Sequence, residues 1–187
     1  MKNKDKYFSL ILAIDLLILS ITVLQVTVKA EVSNIDVPKS MEVITENQTE
    51  SSYAFYDVPL TEGEQIYIQS VCERFNVPYE LVLGIMHTES RFDREAVNGE
   101  SIGIMQVHTI NQVQYQKEFD NLGVWDLGNF YQNITAGVFI LSQIETDSVE
   151  KQLLIYNNGL TGANELFKQG IYSNSYSDSV IEFMKCL

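Results

Sequence analysis

The stretch HTESRFDREAVNGESIGIMQ, His87 to Gln106, decides how the rest of the chain is read. It opens at the end of a helical pattern. Pro78 suits a first helical turn, and Leu81, Val82, Ile85 and Met86 form one apolar stripe behind it. Glu89 falls seven residues after Val82, four after Ile85 and three after Met86, so its carboxylate continues the core-facing side of that helix. Asp93 and Glu95 lie beyond the expected helix end. Glu100 follows Asn98-Gly99, a turn dipeptide, and belongs in an exposed hairpin or loop. Strand-like alternation is confined to the segment from Ala96 to Met105.

Working outward, order is expected from about Leu60. Thr61 and Glu64 have the spacing of a capping box, and Ile68, Val71, Cys72 and Phe75 recur at helical intervals. Asn76 and Val77 break that first helix. Downstream, three further amphipathic helices are expected: Phe130 to Glu145, Val149 to Asn157, and a last one carrying Tyr176, Val180, Phe183 and Met184. Gly159 and Gly162 punctuate the middle, and Ser173 and Ser175 are candidate N-caps for the final helix. The fold class is therefore mainly α, a helical domain over residues 59–187 with a small β-hairpin.

Two segments precede it. Lys2, Lys4 and Lys6 lead into an apolar run from Tyr7 to Val28 that is long enough to span a bilayer, and Val28-Lys29-Ala30 offers a small-residue cleavage pattern. Residues 1–30 thus read either as a cleaved signal peptide or as a retained N-terminal membrane anchor, and both place the domain outside the cytoplasm. Residues 31–58 are polar and acidic and read as a flexible linker.

The net charge of the chain is −13. Beyond residues 1–30, Arg74, Arg91, Arg94, Lys117, Lys151, Lys168 and Lys185 are scattered singly, which argues against nucleic acid as a partner, since a basic stripe is needed to displace phosphate counterions. No partner protein is named by the sequence. Cys72 and Cys186 are too few for a disulfide scaffold, and they read as two buried free thiols or, after export, as one bridge. Without Cys-x-x-Cys or His-x-x-x-His spacing, no metal and no cofactor is expected.

A carboxylic acid held at a helix end against an apolar lining has its charged form disfavoured, so it can keep a proton near neutral pH and act as a general acid. Spacing alone leaves a second reading open, in which Glu89 caps the helix or pairs with Arg91 or Arg94 at the surface. Tyr156, by its spacing from Val149 and Leu153, reads as core, and Gly103 and Met105 as a turn and a core side chain.

Four motifs in order bear on the choice: Glu89-Ser90, Gly103-Ile104-Met105-Gln106, Asn133-Ile134-Thr135-Ala136-Gly137 and Tyr156-Asn157-Asn158-Gly159. Together they resemble the lytic transglycosylase domain of the soluble-transglycosylase type, a lysozyme-like family that cleaves peptidoglycan, over about Pro59 to Phe183. The resemblance implies Glu89 as the single catalytic acid, with Ser90 as its hydrogen-bonding neighbour. Met105 and Gln106 match the motif lining the sugar groove, and Tyr156 and Asn157 match the pair facing the acid across the cleft. Tyr176 resembles an aromatic bordering the cleft, although serines and Asn174 replace the acidic residue usual before it. Asn133 and Gly137 look structural. The implied reaction cleaves the MurNAc-GlcNAc β-1,4 bond and leaves 1,6-anhydro-MurNAc ends. A lysozyme-type hydrolase using Asp93, Glu95 or Glu100 as second carboxylate, and a non-catalytic glycan-binding protein, are the alternatives.

Overall fold

The structure, a computed structural model, describes residues 53–187. The expected membrane or signal segment and the linker up to residue 52 lie outside the described residues. Among the described residues no helix is long and apolar enough to cross a membrane.

Seven helices and one small sheet are described. They are α1 Glu62–Phe75, α2 Tyr79–Ser90, β1 Val97–Asn98, β2 Ser101–Ile102, β3 Val107–His108, α3 Ile110–Gln114, α4 Gln116–Leu122, α5 Phe130–Ser142, α6 Val149–Lys168 and α7 Ser175–Cys186. The expected hairpin is β1–β2, closed by Gly99 and Glu100, but a third strand extends it into an antiparallel sheet in the order β1-β2-β3. The additional strand pairs Ile102 with Val107 and Ser101 with His108, which makes Gly103-Ile104-Met105-Gln106 the turn between β2 and β3.

The helix starts follow the capping chemistry. Both halves of the Thr61/Glu64 capping box are formed, and Glu64 also pairs with Arg94 at 2.7 Å, tying the segment after α2 to the start of α1. Asn76 ends α1 in the left-handed conformation that its short polar side chain tolerates. For α7 the cap is Asn174, not Ser173 or Ser175: its side chain accepts from the backbone N–H groups of Tyr176 and Ser177, and Ser177 answers back. Asn174 supplies an amide oxygen one residue before Ser175, the choice helical spacing leaves open.

Helices α2 and α5 are more central than a single stripe implies. From Leu81 to Met86, and again from Asn133 to Phe139, every residue is buried, the pattern of helices covered on all sides. Packing runs in a closed circuit, α1 on α2, α2 on α7, α7 on α6, α6 on α5 and α5 on α1. Gly84 makes the α2–α7 contact close, since a Cβ there would lie 2.9 Å from the Val180 carbonyl oxygen.

The domain begins before Leu60. Gln69 exchanges hydrogen bonds with both backbone groups of Ala54, Gln65 does the same with Tyr56, and the Tyr56 ring packs on Tyr79 at 5.8 Å. Residues 53–58, assigned to the linker on composition, act as a strap across α1, because buried glutamines on that helix supply their backbone partners. Cys72 is buried and Cys186 exposed, and both are free thiols, so the pair is neither bridged nor uniformly buried.

Candidate active site

Glu89 occupies the last turn of α2 and opens into a cleft of about 810 Å³. Neither surface alternative for it is realised. Arg91 bonds back to His87, and Arg94 is engaged by Glu64 and lies over the Phe130 ring at 4.5 Å. Instead the Tyr176 hydroxyl donates to Glu89 Oε1 at 2.7 Å. Burial pushes the Glu89 carboxyl above the usual range, and the Tyr176 hydrogen bond pulls partway back by stabilising the charged form. Loss of hydration together with the neighbouring Glu89 charge also holds the Tyr156 and Tyr176 hydroxyls protonated well beyond the usual tyrosine range. Both are therefore fixed donors.

The turn after β2 forms the floor beneath the acid. Ile104 and Met105 are fully buried, so Met105 belongs to the core rather than to the cleft surface, and its carbonyl oxygen accepts from the Tyr156 hydroxyl at 3.0 Å. The Ser90 hydroxyl shares its proton between the carbonyls of Ile104 at 2.8 Å and Met86 at 3.1 Å, fastening the end of α2 to this turn. Gln106 is left-handed at φ 47°, and its amide folds back to donate to the carbonyls of Gly103 and Ala96 while the residue lines the cleft. Those two bonds offset a backbone conformation that costs roughly 1–2 kcal/mol.

Asn133 holds the turn from behind. Fully buried in α5, it accepts from the Met105 N–H at 2.9 Å and donates to the carbonyls of Ile102 at 2.7 Å and Leu127 at 2.9 Å. Gly103, at φ +77°, leaves room for the Asn133 amide, and a Cβ on Gly137 would come 2.5 Å from the Met105 sulfur. The Asn-x-x-x-Gly pair in α5 thus shapes the turn that supports Glu89, Tyr156 and Gln106 without facing the cleft.

Of the residues singled out in the sequence, Glu89, Gln106, Tyr156 and Asn157 line the cleft directly. Tyr176 reaches it through Glu89, while Ser90 and Met105 lie behind as supports. The remaining acids of the opening stretch are elsewhere: Asp93 accepts from the Glu95 backbone N–H, and the exposed Glu100 carboxylate faces His108 at 3.3 Å. Sequence reasoning missed one wall of the cleft, formed by His108, Asn111, Gln114, Tyr115, Gln143 and Glu145. Those residues come from β3, from α3, which is too short for a clear period, and from the end of α5, which stops at Ser142 rather than at the expected Glu145, so Gln143 and Glu145 leave the helix and turn to the cleft.

In comparison with protein families, the model of the transglycosylase SLT domain matches residues 66–175, more than half of the chain. Comparison with curated proteins yields no match.

Proposed function

Given that the chain belongs to the transglycosylase SLT domain family, the lytic-transglycosylase type that acts on peptidoglycan, we propose that it cleaves the MurNAc-GlcNAc β-1,4 bond and forms 1,6-anhydro-MurNAc ends, with Glu89 as its single acid and base. The observation that carries this reading is a buried carboxyl in the cleft with a raised pKa and a hydroxyl donor on one oxygen. Burial keeps the proton available for the first step, in which Glu89 gives it to the glycosidic oxygen as the bond to C1 breaks. The Tyr176 hydroxyl then steadies the carboxylate. In the second step the C6 hydroxyl of the same muramic residue attacks C1 and its proton passes to Glu89, restoring the starting state. A tethered nucleophile held in attack geometry is worth about 7–11 kcal/mol, so an activated water is not required.

The neutral amides of Asn111, Gln114 and Asn157 along the cleft suit N-acetyl and hydroxyl groups, which need both donors and acceptors, and Gln106, its NH2 already engaged, offers its amide oxygen. Peptidoglycan lies outside the cytoplasm, in keeping with the export or anchor reading of residues 1–30. Glu145 supports a second reading. It is the other carboxylate lining the cleft, and a hydrolase would need it as the partner that activates water.

Mass spectrometry of muropeptides released from purified peptidoglycan separates these readings. Ends lighter by one water than reducing ends are expected, and none from Glu89→Gln. Reducing ends together with an inactive Glu145→Gln variant would establish hydrolysis. Glycan binding without any cleavage would leave a binding protein.

A further inference from the structure

The cleft contains no lysine and no arginine among its lining residues, whereas its walls carry six side-chain amides, from Gln106, Asn111, Gln114, Gln143, Asn157 and Asn158. Glu145 stands on its rim, exposed, and none of the ion pairs among the described residues includes it. The surrounding field has the same sign, since among the described residues 18 acidic side chains face 7 lysines and arginines.

We propose that this cleft selects glycan strands whose stem peptides carry carboxamides in place of free carboxylates, and that Glu145 is the specificity-determining side chain. The inference rests on the reading that the cleft cleaves peptidoglycan. In that polymer the stem hangs from the lactyl group of the muramic residue whose C1 reacts, so its first acidic group necessarily travels close to the cleft. A free carboxylate there gives up hydration and meets amide dipoles with no lysine or arginine to pair with, the one basic side chain of the lining, His108, being already taken by Glu100 at 3.3 Å. It also meets Glu145 and a negative field that low-dielectric walls concentrate. A carboxamide at the same position has an NH2 to give to Glu145 and an oxygen to receive from a wall amide, which converts repulsion into a charge-assisted hydrogen bond.

The test uses the full chain and two soluble glycan oligomers, identical except that each muramic residue carries L-alanyl-D-isoglutamine in one and L-alanyl-D-isoglutamate in the other. kcat/KM is measured for both at low and high salt, with the unaltered protein and with Glu145→Gln. The amidated glycan is expected to be favoured at least about threefold at low salt, since a hydrogen bond to a charged group replaces a like-charge pair in a partly solvated cleft. The preference should reside in KM, shrink as salt rises and narrow in Glu145→Gln. Equal kcat/KM for the two glycans at low salt would overturn the inference, and so would a preference of unchanged size in the variant. Collapse of kcat on both glycans in Glu145→Gln would overturn it differently, by making Glu145 part of the chemistry. Cleavage of neither glycan, nor of whole peptidoglycan, would sink the reading of the cleft and this inference with it.

Discussion

Replacing Asn133 with aspartate changes almost no volume and inverts the hydrogen-bonding logic of the turn. The amide oxygen now accepts from the Met105 N–H, and its nitrogen donates to the Ile102 and Leu127 carbonyls. An aspartate keeps the acceptor and loses both donors. When protonated it recovers one of them, leaving one buried carbonyl unpaired at a cost of about 1–3 kcal/mol. When ionised it also sets a negative charge against two carbonyl oxygens in a fully buried position, so its folded-state pKa must lie above its unfolded value. The sign then follows from linkage. The native state holds the extra proton, so stability is highest below the unfolded pKa and falls by about 1.4 kcal/mol per pH unit up to the folded one. For a domain of this size each kcal/mol corresponds to about 3–4 °C in Tm. Thermal unfolding of Asn133→Asp should therefore start about 3–12 °C below the unaltered protein near pH 4, with the gap widening towards pH 8. Taking the difference at each pH removes the contribution of Glu89, which both proteins share. A gap that stays constant with pH, or no gap at all, would refute the clamp assigned to Asn133.

Other perturbations test other links. Glu89 carries a raised pKa from burial, so its contribution to stability is present below the ordinary glutamate range and lost as pH rises through the raised value. Glu89→Gln should accordingly melt higher than the unaltered protein at pH 8 and no higher at pH 4, as scanning calorimetry can check. Tyr176→Phe removes the donor to the Glu89 carboxylate. The alkaline limb of the pH–rate profile should shift to higher pH, with kcat reduced about tenfold or more through loss of a hydrogen bond to a charged group. An unmoved limb would exclude a role for that bond. Gly137→Ala forces a Cβ against the Met105 side chain, an overpacking of about 1–3 kcal/mol that helix propensity offsets by up to about 1 kcal/mol. Denaturant titration should find net destabilisation, and a double-mutant cycle should find that Gly137→Ala costs less in a Met105→Ala background, although that background is itself less stable by about 2–5 kcal/mol for the cavity it opens. Finally, a fragment starting at residue 60 should be about 2–4 kcal/mol less stable than one starting at 53, because Gln65 and Gln69 lose their backbone partners and Tyr79 its aromatic neighbour. Equal denaturation midpoints would contradict that.

Much of this arrangement was legible in the chain. The capping box at Thr61, the direction of Glu89 and the exposed hairpin at Glu100 follow from local rules, because a cap, a helical period and an Asn-Gly turn each act within a few residues. The partner of Glu89 was less legible. Tyr176 lies 87 positions away, and what brings it in is the close α2–α7 packing at Gly84, a tertiary contact with no local signature. Helices α3 and α4 escaped for another reason. They are five and seven residues long, shorter than the two turns over which a 3.6-residue period can be distinguished from chance. Glu145 was hidden differently, because the expected helix was carried through it and α5 ends at Ser142, and the strap at residues 53–58 was hidden by a polar composition that conceals backbone groups paired to buried glutamines.

The unlike environments of the two cysteines suit the protein to site-directed chemistry. Burial raises the Cys72 thiol to about 12, which keeps it protonated and shielded, while Cys186 stands exposed in the last turn of α7. A maleimide dye should therefore label the folded chain once, at Cys186, without mutagenesis. Because α7 also carries Tyr176, a fluorophore at its far end would report on whether that helix stays docked when glycan enters the cleft.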